Sequence, residues 1–324
     1  MVGTQMVGTI SRRSFLYAGT ALAIGTRAAA RMLPAVAVES TQTLQCGAAR
    51  LQIDFAHGDF LCGRAAIVAR IADAAAAVAT YYGAFPVNRV RVIVTPAPGR
   101  SGVLQGTTWG AVDGFQALLR LRIGEGTTAP ALREDWIITH ELVHTALANL
   151  PDDQHWLEEG IASYVEPIAR VQAGQIHAET IWAQMVEGMT NGEPATGDKG
   201  LDHTHSWGRN YWGGALFCLV ADVALLRASN NRRGLQTGLR AIVNAGGTLD
   251  KDWPLPKLLA VADQATETRV LSEMYATWSD APITVDLPAL WKQLGVSATS
   301  GTVTLDDAAP LAATRKAITA RPPR

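Results

Sequence analysis

The chain has few charged side chains and no excess of either charge. Its 324 residues include 28 Lys and Arg against 29 Asp and Glu, a net charge of −1, and only 18% of residues are charged. Because no basic stripe is present, we do not expect it to bind nucleic acid. A hydrophobic fraction of 48% is typical of a soluble globular protein with a sizeable core.

Cysteine is also scarce. Cys46, Cys62 and Cys218 are spaced too widely to indicate a cysteine-based metal site. In an oxidising compartment Cys46 and Cys62 could form a disulfide, which the sequence leaves open. Cys218 lies in an apolar helical run, which favours packing as a small hydrophobic residue.

The N-terminal segment differs from the rest of the chain in that two adjacent arginines precede a short apolar run. Arg12 and Arg13 precede a short, mildly apolar run that ends near Ile24, too short to span a membrane comfortably. The pattern resembles a twin-arginine export signal, to which we assign residues 1–37. This interpretation predicts a periplasmic or extracellular protein that is not stably inserted in a membrane once the signal is cleaved.

The remaining chain predicts an α+β fold. An alanine-rich pattern predicts a helix over 63–82, and alternating β-branched residues predict strands over 89–94 and 116–123. The glycine-rich segment 99–110 between the two strands is predicted to be a connection. Thr128 is typical of a helix N-cap.

The helix that begins after Thr128 is predicted to run past His144 and to stop before Pro151. From there the sequence is mostly helical, and the segment 310–324 is expected to be disordered. We therefore predict a helix-and-sheet subdomain over 38–150 and a helical subdomain over 151–309.

The predicted helix contains the pattern HExxH, read here as His140-Glu141-Leu142-Val143-His144. Residues four apart lie on one helix face about 6 Å apart along the axis, so the two imidazoles can share one zinc ion. Glu141 is rotated by about 100° and lies beside the ion. Its carboxylate can then take a proton from an activated water molecule, which makes Glu141 the candidate general base.

A second predicted helix offers the third ligand. If the chain turns at Pro151, Glu159 can join His140 and His144 and leave one coordination position for water. Gly160 inside this helix costs about 1 kcal/mol relative to alanine, which indicates a close approach of the two helices.

Glu166 lies two turns beyond Glu159 on the same helix face. It is a candidate acceptor for the free N–H group of a ligand histidine. The alternative is a capping or surface carboxylate before Pro167.

The segments HELVH and WLEEGIASYVE are similar to the gluzincin branch of zinc metallopeptidases. The resemblance covers roughly residues 128–226 and implies a zincin-like fold in which Glu159, not Glu158, is the third zinc ligand. The segment from Tyr211 to Leu216 is similar to a helix start in the aminopeptidase-like gluzincins. The match implies that Tyr211 stabilises the oxyanion, and a packed, hydrogen-bonded tyrosine is the alternative.

The chain departs from those aminopeptidases in one segment. It lacks the glycine-x-methionine-glutamate-asparagine sequence that binds the free amine of their substrates, and the strand near 114–117 takes that place in sequence order. Aminopeptidase activity is therefore not expected. The short spacing between His144 and Glu159 fits better the compact bacterial peptidase MA-like proteins.

These patterns predict an exported metallopeptidase that holds one zinc ion and acts on peptide or protein substrates, in an oligomeric state that the sequence does not reveal. Two alternatives stay open: a non-catalytic zinc-binding envelope protein, and a zinc hydrolase of a non-peptide amide or ester. His155 is expected in a loop rather than on the metal. His203 and His205 are near enough to Tyr211 to line a cleft, and Trp207 is expected in the core.

Overall fold

Five strands form one mixed sheet in the computed structural model, which describes residues 35–299 and 302–322. The strands are β1 (Val38–Cys46), β2 (Ala49–Ala56), β3 (Arg89–Ala97), β4 (Val103–Val112) and β5 (Phe115–Gly124). Their order is β1-β2-β3-β5-β4, with β2, β3 and β5 parallel and the two edge strands antiparallel to their neighbours. The paired arginines of the predicted export signal lie outside the described residues.

The α-helices occupy most of the rest of the chain. They are α1 (Arg64–Tyr82), α2 (Ala129–Glu134), α3 (Ile137–Val143), α4 (His155–Gln172), α5 (Ala178–Gly188), α6 (Gly214–Ala228), α7 (Leu235–Asn244), α8 (Leu255–Thr266), α9 (Val270–Trp278), α10 (Leu287–Leu294) and α11 (Ala312–Thr319). A π-helix, Gly208–Gly213, leads into α6, and a small hairpin of β6 (Val296–Thr299) and β7 (Thr302–Leu305) follows α10. The predicted α+β class is confirmed.

The sheet is buried on both faces in its centre. Val90, Val92 and Val94 of β3 are fully buried in the main core, whereas Ile93 belongs to a small second cluster with Trp109. Alternate residues of a strand point to opposite faces, so one β-branched run supplies both clusters. The predictions of α1, β3 and β5 are confirmed, although β3 continues through Pro96 to Ala97.

The prediction of a connection over 99–110 is wrong. Most of that segment is the edge strand β4, which pairs with β5 along its length. Its glycines stand where other parts of the protein come close. A methyl group on Gly106 would lie 2.8 Å from the carboxylate carbon of Glu141, and one on Gly110 would overlap the carbonyl of Leu249.

The prediction of one continuous helix from Thr128 past His144 is also wrong. Thr128 caps α2 as expected, but α2 ends at Glu134 and Asp135 adopts an extended conformation. The Asp135 carboxylate then accepts a hydrogen bond from the backbone N–H of Ile138, at 3.0 Å. An aspartate that caps in this way starts a new helix, which places His140 and Glu141 on the short helix α3. His144 follows directly, at the start of a 3₁₀-helix over His144–Ala146.

The expected disorder after Pro310 is wrong for most of that segment, because α11 packs against the rest of the protein. Ile318 is buried, and Arg315 is only 2% exposed. The Arg315 guanidinium donates hydrogen bonds to the backbone carbonyls of Leu294, Gly295 and Asp306. A buried arginine thus adds to the apolar contacts that hold this helix in place.

Two helical segments, Arg64–Tyr82 and Gly208–Ala228, are long and apolar enough to cross a membrane by length and composition. Within the fold, 50% and 67% of their most apolar stretches are buried, so these side chains contribute to the core. Cys218 is buried there, as predicted. In the part of the chain that the structure describes, Cys46, Cys62 and Cys218 are free thiols.

Candidate metal centre and catalytic cleft

Helix α3, the 3₁₀-helix His144–Ala146 that follows it, and α4 bring two histidines and one carboxylate together. The Nε2 atom of His140 lies 3.1 Å from Oε2 of Glu159, and the Nε2 atom of His144 lies 3.8 Å from the same oxygen. One ligand atom from each of the three residues lies within 4.8 Å of the others. The convergence expected from the HExxH spacing and the turn at Pro151 is therefore present.

These three side chains fit a zinc ion. Bonds of about 2.0–2.1 Å in a tetrahedral site put neighbouring ligand atoms about 3.3 Å apart. The observed separations of 3.1 and 3.8 Å lie on either side of that value. All three side chains are largely buried, and two imidazoles with one carboxylate are a ligand set that zinc prefers.

The electrostatics of the three residues suit cation binding. Burial, countered in part by Glu159, lowers the pKa of His144 to about 4 and keeps its imidazole neutral. The pKa of Glu159 lies well below its usual value despite burial, because His144, His140 and His155 face it. Burial acts to lower the pKa of His140, but the hydrogen bond to Glu159 raises it overall. The raised pKa favours a proton on His140, and a cation that binds to this imidazole displaces that proton.

Glu141 lies beside these residues rather than among them. Its Oε2 atom accepts a hydrogen bond of 2.7 Å from the hydroxyl of Thr108 on the edge strand β4. Burial raises the pKa of Glu141 to about 7, although His140 and Thr108 act in the opposite direction. A carboxyl with a pKa near neutrality can both take and return a proton.

Tyr211 lies on the π-helix Gly208–Gly213, next to His140. Its ring stacks on the His140 imidazole at 5.9 Å between centroids, with 16° between the planes. Burial raises the pKa of Tyr211, and the charges of Glu159 and Glu141 add to that effect. The phenol therefore keeps its proton and can donate it in a hydrogen bond. π-Helices often occur at functional sites.

The π-helix is held by buried contacts on both sides of Tyr211. The Nε atom of Arg209 lies 2.8 Å from Oδ2 of Asp198 in a buried ion pair, and the Arg209 guanidinium also donates to the carbonyl of Gly192. Trp212 packs against Gly188, where a methyl group would overlap the indole ring. These contacts fix the backbone that carries the tyrosine.

Glu166 does not make the contact predicted for it. Its Oε1 atom accepts a hydrogen bond of 3.0 Å from Arg170, and Nδ1 of His140 is buried with no hydrogen-bond partner in residues 35–299 and 302–322. The alternative of a surface carboxylate is also wrong, because α4 continues through Pro167 and Glu166 is 2% exposed. Its negative charge helps to raise the pKa of His140.

His155 begins α4 instead of lying in a loop. Its Nε2 atom lies 3.3 Å from Oε1 of Glu159, and its Nδ1 atom lies 2.9 Å from Oε2 of Glu158. His155 and Glu159 are four residues apart, so one helix face carries both. That spacing is the signal by which the sequence could have revealed the contact.

His144 and Glu159 line a cleft of about 540 Å³, which also contains Glu141 and Tyr211. His140 lies directly behind this wall, in contact with Glu159. The rim of the cleft includes His205 and Trp207, and the Trp207 side chain is 50% exposed, so the expectation of a core position is wrong. His203 is on the surface, where its Nε2 atom lies 2.7 Å from Oδ1 of Asp280.

The strand that lines the cleft is β4, not the segment 114–117 expected from sequence order. Gly106, Thr107, Thr108 and Gly110 contribute the strand's part of the wall. The sequence of β4, VLQGTTWGAV, contains no acidic residue. Segment 114–117 turns into β5, which lies inside the sheet.

Comparisons with known proteins find similarity in structure only. The sequence matches no known protein family and no curated protein. Its fold is similar to that of an aminopeptidase N family protein from Idiomarina loihiensis, with a TM-score of 0.60 and 12% identity over 79% of this chain and 49% of that chain. An M1 zinc metallopeptidase from Deinococcus radiodurans also matches, with a TM-score of 0.48 and 16% identity over 76% of this chain and 52% of that one.

The chain spans about half the length of these two structures. At 12% identity the first match shows a shared fold. The chain thus combines a fold found in that aminopeptidase N family protein with a cluster in which His140, His144 and Glu159 converge.

Proposed function

We propose that this chain is a zinc-dependent peptidase that hydrolyses peptide bonds in peptide or protein substrates. The observation that carries the proposal is the convergence of His140, His144 and Glu159 at the wall of a cleft that Glu141 and Tyr211 also line. The three residues come from two segments that are separate in sequence, 140–144 and α4, so their meeting is a product of the fold.

One zinc ion would be held by Nε2 of His140, Nε2 of His144 and Oε2 of Glu159. When bound there, zinc would supply a Lewis acid that polarises a substrate carbonyl and makes a water molecule more acidic. The neighbouring protein groups carry out the proton transfers and orient the reacting atoms.

Glu141 is the proposed general base. The Thr108 hydroxyl donates to its Oε2 atom and so fixes the carboxylate beside the ligands. Glu141 takes a proton from the attacking water and then gives it to the leaving amine. A pKa raised to about 7 by burial suits both steps.

Tyr211 is the proposed donor to the oxyanion that forms on the substrate carbonyl. Its pKa is raised, so its hydroxyl stays protonated, and its ring lies against His140. Removal of one such donor from an enzyme typically costs about 3 kcal/mol of transition-state stabilisation.

The edge strand in the cleft wall favours a peptide substrate over a smaller amide or ester. Strand β4 is an edge strand of the sheet and lines the cleft. Edge strands pair with extended peptides through backbone hydrogen bonds. A wall of this kind recognises backbone that a small ester does not have.

The proposed location is the periplasm or the extracellular space, reached by twin-arginine export. Arg12, Arg13 and the short apolar run after them support this proposal. When both arginines are replaced by lysine, we expect the protein to stay in the cytoplasm on cell fractionation. Unchanged export of this variant would contradict the proposed route.

The test of the proposed reaction is cleavage of a diverse peptide mixture, followed by mass spectrometry. We expect the wild type to cleave peptides, a zinc chelator to stop it and added zinc to restore it. The Glu141→Gln variant should retain zinc and lose about 10²- to 10⁴-fold in rate, since it keeps the shape but not the basic oxygen.

A Glu141→Gln variant with nearly wild-type activity would refute the assignment of the base. Zinc binding by the wild type without cleavage of any peptide would favour a non-catalytic zinc-binding envelope protein. Turnover restricted to non-peptide amides or esters in a parallel screen would favour the other alternative hydrolase.

A further inference from the structure

The two oxygens of the Glu159 carboxylate have different partners. Oε2 faces the candidate metal position, 3.1 Å from Nε2 of His140. Oε1 points the other way and lies 3.3 Å from Nε2 of His155. The carboxylate is therefore held from behind by a side chain that is itself outside the ligand set.

His155 is also fixed on its far side. Its Nδ1 atom lies 2.9 Å from Oε2 of Glu158, and Oε1 of Glu158 accepts a hydrogen bond of 2.9 Å from the backbone N–H of Leu150. Leu150 lies before the turn that joins the HExxH segment to α4. A continuous set of contacts thus runs from the backbone at Leu150 to the oxygen of Glu159.

A glutamate side chain has several rotatable bonds, and each one that stays free in the metal-free protein must be ordered when an ion binds. A donor fixed at Oε1 removes part of that freedom and leaves Oε2 free for the metal. Groups that orient a metal ligand in this way typically change metal affinity by about 10- to 100-fold.

We propose that His155 is a positioning residue, which directs an N–H group at Oε1 of Glu159 and thereby sets the zinc affinity of the site. The inference rests on the proposed zinc site and adds a residue outside its ligand set. His155 is 27% exposed in its side chain and starts α4, so its replacement leaves the core unchanged.

Replacement of His155 by glutamine or by asparagine distinguishes the two contacts of its imidazole. In His155→Gln the amide nitrogen can take the place of Nε2 and reach Glu159, whereas in His155→Asn it can take only the place of Nδ1 near Glu158. His155→Phe keeps the ring shape and removes both nitrogens. The three variants therefore distinguish the contact with Glu159 from helix packing.

The experiment measures zinc dissociation constants by competition with a coloured chelator, on the purified full chain and the three variants. We expect His155→Phe and His155→Asn to weaken zinc binding by about 10- to 100-fold. His155→Gln should keep most of the wild-type affinity. Thermal unfolding of the metal-free proteins serves as the control, and similar midpoints are expected for Gln and Asn.

Zinc affinity of His155→Phe within twofold of the wild type would overturn the inference, and so would equal losses in Gln and Asn. If the wild type itself bound no zinc, the proposed function would fail together with it. If the wild type binds zinc and His155→Phe binds it equally well, only the role of His155 is overturned, and the proposed zinc site stands.

Discussion

Gly160 of α4 and Gly214 of α6 meet backbone to backbone. A methyl group on Gly214 would lie 2.7 Å from the Cα atom of Gly160, and one on Gly160 would overlap the Cα atom of Gly214. Glu159 directly precedes the first glycine, and Tyr211 lies three residues before the second. The contact therefore brings the third candidate ligand and the candidate oxyanion donor into one cleft. The expectation that Gly160 allows a close approach to the HExxH helix is wrong, because its close neighbour is α6.

We predict that Gly160→Ala destabilises the protein, although alanine is the better helix former by about 1 kcal/mol. The added methyl group meets backbone atoms, which cannot move aside as a flexible side chain can. Overpacking of this kind costs about 1–3 kcal/mol, and here we expect the upper end, for a net loss of about 2 kcal/mol. Denaturant unfolding measures the change.

The matched control is Ser163→Ala, in the same helix at a partly exposed position. This variant has a helix-forming gain of the same sign, at most about 0.7 kcal/mol, without the steric contact, and its free energy of unfolding should be unchanged or slightly higher. A Gly160→Ala protein as stable as the control would show that the two helices do not need this close approach.

Tyr211→Phe tests the oxyanion donor. The change removes only the hydroxyl, so we expect kcat to fall by about 10²- to 10³-fold with little change in KM or zinc content. Tyr275→Phe is the control, because its hydroxyl donates to Asp202 rather than to the cleft. A kcat within twofold of the wild type for Tyr211→Phe would leave the tyrosine with a packing role only.

Asp222, which lies outside the cleft, makes the free energy of unfolding depend on pH. Burial raises the pKa of this carboxyl from 3.8 to about 6, although the Leu235 N–H and the Tyr164 hydroxyl both donate to it. Since the folded state binds this proton more tightly than the unfolded chain, the stabilisation is present below about pH 4. It is lost as the pH rises through about 6.

The difference between the two pKa values corresponds to about 3 kcal/mol. In Asp222→Asn the side chain cannot ionise, so this contribution to the slope of unfolding free energy against pH should disappear. Denaturant unfolding of both proteins at several pH values from 4 to 7 measures it. Parallel slopes for the two proteins would contradict the assigned pKa.

Much of the site could be predicted because its signals are local. The spacing of His140 and His144 places both rings on one helix face, and a turn at Pro151 is enough to bring Glu159 back to them. The alanine-rich pattern of α1 and the alternation in β5 indicate their structures in the same way. None of these conclusions required knowledge of a distant contact.

The remaining features depend on tertiary contacts. Glycines weigh against a strand by local propensity, yet β4 forms because it pairs with β5, and Gly106 leaves room for Glu141. The break at Asp135 involves side-chain hydrogen bonds, one from the Ile138 N–H to the Asp135 carboxylate and one from distant Arg70 to the Asp135 carbonyl. Helix α11 is held by the buried guanidinium of Arg315, which hydrophobic periodicity does not register.

The central claim is that Glu159 joins His140 and His144 around one zinc ion, and metal analysis with zinc titration tests it most directly. The comparison uses the wild type, Glu159→Ala and, as a control, Glu187→Ala, which removes an exposed carboxylate from α5. We predict one tightly bound zinc ion per chain in the wild type and the control, and its loss or a large fall in affinity in Glu159→Ala. Equal zinc content and affinity in all three proteins would contradict the account.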